Sequence, residues 1–346
     1  MSSSSIVDPG FSRDGVPGIR LEGELIVVTI FPEAGGKILD LVHRSSGKNL
    51  LWQNPRVGLT RTYAGAPFDD VWCGGWDDLF PTDSPCSIEG NAYHDHGDLW
   101  IGPWEWEIEE DTGDRATIRL SRYSVSLPCL VEKWVTLRRD EPVMTVRQRL
   151  TNHGPRPVRF LWDAHVAHAA EPGSRIYLPA SSLNVEPPYL GRAGESTSVC
   201  SWPLHRDEQG VEHDLSRTPA AGHISEFFWA ESLREGWCAV VHPTVGVGLG
   251  LAFDPAVFPT VWLFADYGGW RGHYFLLTEP CTSPPGSLAD AVERGSAATL
   301  APGEALETDI VATVLEGVDG RGPADERPPQ LRPVTKPSSS VSHSRA

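Results

Sequence analysis

From Leu21 onward the chain is built of short apolar runs, each closed by a turn. ELIVVTIFP, residues 24–32, is rich in β-branched residues and stops at a proline. Gly35-Gly36 opens KILDLVH, the SSGKN turn closes it, and LLWQNP follows. Glycine and proline at this spacing predict strand, turn and strand rather than an early helix. WEWEIEE, residues 104–110, alternates with period two and sets Trp104, Trp106 and Ile108 on one face, expected to be a core face. RATIRLSRYSV, LVEKWVTLRRD and EPVMTVRQRLTNHG continue the series, with D-E-P and N-H-G as turn signals.

PVRFLWDAHVAHAA, residues 157–170, fits either strand or helix by pattern, and the β-like elements before it favour a strand leaving its sheet near His165. Residues 171–222 are rich in proline and glycine and read as a long loop region around a site. Strand character resumes in HISEFFWA, GWCAVVHP, VGVGLGLAFDP, FPTVWLFADYGG, HYFLLTEP and ALETDIVATVLEG. SLADAVERG has helix-forming character but is short, and no long amphipathic helix is present.

Many short β segments from start to finish predict an all-β fold, a large antiparallel sandwich rather than alternating β/α units. The glycines of VGVGLG lack the GxGxxG spacing in a strand-to-helix setting, which excludes a dinucleotide-binding reading. The expected organisation is a flexible extension over 1–14, one domain over 15–318 and a disordered tail over 319–346. The tail is rich in proline and serine and has no periodic apolar set.

Charge and composition remove several classes. The formal charge is −17, from 29 basic and 46 acidic residues, so no basic footprint for nucleic acid is expected. Neither a secretory signal nor a membrane-length apolar run is visible. Six scattered cysteines form no CxxC pair, and a cytoplasmic protein with free thiols is expected.

Candidate chemistry concentrates in residues 71–100, VWCGGWDDLFPTDSPCSIEGNAYHDHGDLW. Carboxylates, imidazoles and indoles at this density suit a carbohydrate site, where indole faces meet C–H patches and polar groups meet hydroxyls. Trp76 or Trp100 is the expected site wall, with Asp77, Asp78 and His94 as further binding residues. His94, His96, Asp77 and Asp78 also allow a metal reading, because imidazole and carboxylate can hold zinc or another divalent ion. The alternative has Asp95 satisfying a histidine and Asp77 or Asp78 fixing a turn.

Taken in order, ELIVVTIFPEAGGKILDLVHRSSGKNLLW, GGWDDLFPT, HDHG, the His165 region and LLTEPCTS resemble the aldose 1-epimerase, or galactose mutarotase, superfamily over about residues 20 to 318. The resemblance implies a mutarotase-type β-sandwich with an open sugar-binding face. It implies an isomerase that needs no cofactor and opens and recloses a sugar hemiacetal by acid/base chemistry on a small carbohydrate. Carried across, it makes Glu279 the base, His165 the donor to the ring oxygen and His96 a holder of that oxygen. An arginine that orients hydroxyls corresponds to Arg56 or Arg61. Two departures stand out, the double acid Asp77-Asp78 and the second imidazole in His94-Asp95-His96. They leave open a non-catalytic sugar-binding protein, or a specialised isomerase or lyase for a modified or phosphorylated sugar.

Overall fold

The computed structural model describes residues 5–195 and 197–334. Two antiparallel sheets face each other across one core. The first, of twelve strands, carries the path Val7–Asp8, Ile19–Glu22, Ile26–Phe31, Lys37–His43, Trp76–Leu79 and Asp163–His168. It continues through Tyr274–Cys281, Thr260–Tyr267, Ile224–Ala230, Ser182–Leu190 and Val199–Ser201. The second has eight strands, in the order Glu105–Asp111, Arg115–Tyr123, Cys129–Arg138, Val143–Asn152, Ala305–Glu316, Val247–Phe253, Trp237–His242 and Arg175–Tyr177. This is the large antiparallel sandwich that the strand pattern predicts.

The second sheet shows why period two was readable. Along Cys129–Arg138 buried and half-buried residues alternate, with Cys129, Val131, Lys133, Val135 and Leu137 turned inward. Val135, Val146, Leu249 and Ile310 from that sheet meet Val28, Leu41, Val166 and Leu276 from the first. Each such fully buried aliphatic side chain contributes about 1.5–3 kcal/mol by leaving water. The first sheet is different, because loops cover its outer face as well. Every residue of Asp163–His168 and of Ile26–Phe31 is buried. That double burial erases the alternation and explains why PVRFLWDAHVAHAA read ambiguously.

Three expectations need correcting. Trp106 and Ile108 are each 42% exposed, although Trp104 is buried as predicted. Both lie on Glu105–Asp111, the edge strand of its sheet, where no described residue covers that face. Residues 171–222 are not one long loop, since they include Arg175–Tyr177, Ser182–Leu190, Val199–Ser201, Leu204–Arg206 and Glu212–Asp214. Pro187 and Pro188 are tolerated in a strand because the register breaks between Val185 and Leu190.

The third correction concerns the ends. Ile6 and Val7 are buried, and Val7–Asp8 pairs with Arg20 and Leu21, so part of the 1–14 extension belongs to the sheet. At the other end Leu331 is buried beside Tyr177 and Trp237, and Arg332 pairs with Glu141 at 2.6 Å. The apolar residues involved are too few and too widely spaced to form a periodic signal. The remainder of both calls, residues 1–4 and 335–346, lies outside the described residues.

The short helix falls at Leu288–Arg294, opened by a Ser287/Asp290 capping box and closed by Gly295 at φ 72°. Among the described residues, no helix is long and apolar enough to cross a membrane.

Candidate functional site

Strand register brings distant residues into one line across the first sheet. His165 lies opposite Asp77, and Glu279 opposite Trp262. The pairs Asp163–Cys281 and Val166–Thr278 set His165 opposite Glu279 as well. Side chains alternate along each strand, so residues in one such row share a face. The row reads Asp77, His165, Glu279, Trp262, and Lys37 ends it by ion-pairing with Asp77. On the reverse face Ala164 and Val166 join the main core, while His168 Nε2 bonds Thr278 Oγ1 at 2.8 Å.

The outer face of this row floors a cavity of about 290 Å³. His165 Nε2 and Glu279 Oε2 stand 4.0 Å apart there. Both side chains are only 4% exposed. Trp72, Trp262, Phe264, Trp270 and Phe275 supply aromatic walls. His96 comes in from a loop, with its ring stacked on Phe68 at 3.6 Å and edge-on to His165 at 5.7 Å. Its Nδ1 lies 3.0 Å from Asp95, and its Nε2 3.7 Å from Asp83. The glycine of HDHG is a steric necessity. Gly97 has φ 69°, and a Cβ there would sit 2.1 Å from the Phe80 carbonyl oxygen.

Burial and charge set the protonation states. Burial pushes the Glu279 carboxyl up to about 8, and Asp83 adds to the rise, while a hydrogen bond from Asp163 and the charge of His96 oppose it. Asp163, beside it, is pushed well above the usual carboxylate range by burial and then by Glu279, so Asp163 keeps a proton. His165 is driven well below the usual imidazole range by burial, then by the charges of His96 and Lys37. Burial also pulls on His96, but the Asp95 hydrogen bond and the charges of Asp83, Asp95 and Glu279 outweigh it and raise its pKa. The site thus holds one imidazole neutral and favours the cation on the other.

Of the expected site residues, Glu279, His165 and His96 meet in the cavity, Asp95 lines it beside His96, and the others do not line it. Asp77 lies just behind, paired with Lys37 and accepting from the Trp72 indole at 3.1 Å, so it holds a wall in place. Asp78 faces the opposite way, into the sandwich, where Lys133 bonds it at 2.8 Å and Gln148 at 2.5 Å. Trp76 is a core residue. Trp100 is packed edge-on against Phe68 at 5.0 Å and donates to the Asp95 carbonyl at 3.3 Å, so neither indole forms a wall. His94 and Arg56 are exposed, and Arg61 is held by Glu33 at 2.5 Å. The metal set is not assembled: Asp77 and Asp78 point to opposite faces of one strand, each paired with a lysine, and His94 stays outside. Among the described residues, no group of three or more His, Cys, Asp or Glu is placed to hold an ion.

Several cavity residues were missed in the sequence, among them Phe68, Asp83, Trp262 and Trp270, and Trp72 was passed over for Trp76 and Trp100. A signal existed for two groups. Asp163 stands two residues before His165 and therefore on its face, and Trp262 and Phe264 alternate in FPTVWLFADY.

No family profile and no curated protein matches the sequence. Solved structures do match its shape. A proposed aldose 1-epimerase from Klebsiella pneumoniae aligns with TM-score 0.70 and 16% identity, over 91% of this chain and 84% of that one. A galactose mutarotase-like protein from Clostridium acetobutylicum aligns with TM-score 0.59 and 12% identity, over 90% and 98%. Slr1438 from Synechocystis aligns with TM-score 0.63 and 17% identity, over 89% and 99%. The fold is that of the mutarotase-like β-sandwich proteins.

Proposed function

We propose that this protein is an aldose 1-epimerase-type isomerase that interconverts the anomers of a small sugar. One observation carries the reading: a buried carboxyl and a buried imidazole stand 4.0 Å apart on the floor of an aromatic-walled cavity, with a second imidazole facing them. Aromatic walls suit the C–H faces of a pyranose, and the three titratable groups suit its hydroxyls. The shared fold of proteins described as mutarotase-like supports the reading.

The reaction needs one proton removed and one supplied. Glu279, as carboxylate, takes the proton of the anomeric hydroxyl. The C1–O5 bond breaks as the C1 carbonyl forms, and the ring oxygen receives a proton. The sequence reading gave that proton to His165, but the electrostatics favour His96, the imidazole whose cation Asp95 and Asp83 stabilise. Neutral His165 then aligns the oxygen. Rotation about C1–C2 and reversal of the steps closes the other anomer. Each positioned acid or base contributes about 10²–10⁴-fold.

The test is time-resolved NMR on freshly dissolved pure α- and β-aldoses. Equilibration should be faster with protein than without. Ionisation of Glu279 near pH 8 should raise the rate, and loss of the His96 proton, held above the usual imidazole range, should lower it. Binding without acceleration across a panel of neutral and phosphorylated sugars would instead indicate a sugar-binding module.

A further inference from the structure

The charge in the cavity is one-sided. Four carboxyl groups line it, Asp69, Asp83, Asp95 and Glu279, of which Glu279 stays protonated and uncharged up to about pH 8, whereas no lysine or arginine among the described residues does. Of the guanidiniums nearby, exposed Arg56 lies beside Gly272 without lining the cavity, and two others are committed to carboxylates. Arg271 donates to the Asp69 carbonyl at 2.8 Å and pairs with Asp70 at 2.7 Å, and Arg61 holds Glu33. His96 can be cationic, but Asp95 and Asp83 already flank it. At the exposed mouth, the Asp69 carboxylate has no hydrogen-bond partner among the described residues. A second observation points to a polar ligand: His165 lines the cavity, is 3% exposed, and its Nδ1 has no hydrogen-bond partner among the described residues.

Both kinds of wall favour positive charge. Carboxylates attract a cation directly, and the faces of Trp72, Trp262 and Trp270 attract one through their ring quadrupoles. A phosphoryl group would meet like charge, with no guanidinium fork or ammonium to receive it. We propose that this cavity selects an aldose bearing a protonated amine and discriminates against phosphorylated sugars. The proposal rests on reading the cavity as the sugar site described above, and it names the substrate class for that site.

The experiment is a titration at neutral pH, read by intrinsic tryptophan fluorescence, with sugars matched in the gluco and galacto series. Each series comprises the neutral aldose, its 2-amino-2-deoxy analogue and its 6-phosphate. The amino sugar should bind on the order of tenfold more tightly than the neutral one, and the 6-phosphate on the order of tenfold more weakly. Asp69→Asn should shrink the amine-to-neutral ratio severalfold, and added salt should shrink it too. Equal binding of amino and neutral sugars, or a 6-phosphate that binds as tightly as the neutral aldose, overturns the proposal. Anomerisation rates from the same samples separate the two readings. Acceleration of neutral aldoses without an amine preference overturns selectivity and leaves the isomerase standing. Tight amine binding without acceleration upholds selectivity and removes the isomerase. No binding by any of the sugars overturns both.

Discussion

Two pairs of buried carboxyl groups lie on neighbouring strands of one sheet and are treated in opposite ways. Asp77 and Asp78, on Trp76–Leu79, are 0% and 2% exposed, and each has its own ammonium, Lys37 and Lys133. Asp163 and Glu279, on the next two strands, are 0% and 3% exposed and have no lysine or arginine bonded to them among the described residues. The first pair carries compensated charge and pins Trp76–Leu79 to its neighbours. The second must hold protons instead, and Glu279 does so up to about pH 8. Burial alone therefore does not separate scaffold from chemistry. The presence or absence of a counter-cation does.

The largest expected effect comes from Glu279→Gln. This change keeps the shape and removes the base, so anomerisation should slow by about 10²–10⁴-fold while circular dichroism stays native. A variant with full rate would break the contrast on its functional side. Next comes Lys133→Met, which strips Asp78 of its partner inside the sandwich. It should lower the unfolding free energy by about 3–5 kcal/mol in urea titrations, and adding Asp78→Asn should restore part of that loss. A loss below about 1 kcal/mol would show that the Asp78 pair is not structural.

Acid–base linkage sharpens the same contrast. Glu279 has a folded pKa near 8 against an ordinary value of 4.5, so between those pH values the folded chain binds a proton that the unfolded chain releases. Stability from this group is complete below the ordinary value and is lost as pH rises through about 8. The cost approaches about 1 kcal/mol per pH unit within that window. Thermal unfolding of the wild type against Glu279→Gln should therefore diverge on the alkaline side, with the variant the more stable. The smallest effect belongs to Arg61→Ala, whose guanidinium sits on exposed Glu33 outside the cavity. Its anomerisation rate should stay within about twofold of wild type.

The fold was legible wherever one face of a strand meets the core and the other meets water. Cys129–Arg138 is the clearest case. It was harder to read where both faces are covered, as in Asp163–His168, and where a bulge lets prolines into Ser182–Leu190. Glu279, His165 and His96 were placed by resemblance, because nothing local in the sequence says that residues so far apart share a row. The aromatic wall was misread for a different reason. Density of tryptophan near Asp77 suggested Trp76 and Trp100, yet parity along the strand turns Trp76 inward, opposite to its neighbour. Arg56 and Arg61 show the limit of residue type: an arginine near a site in sequence can still point into solvent.

The row across the first sheet also fixes when the site can come into being. Lys37, Asp77 and His165 leave the ribosome long before Glu279 does, and Tyr274–Cys281 then inserts between two strands made earlier. Until that insertion, Asp163–His168 is an open sheet edge, available to any other extended chain. A nascent or truncated polypeptide that stops short of Cys281 carries half a row and a vulnerable margin. If the cavity binds sugar as proposed, capture of ligand would report that the chain has been made at least through Cys281.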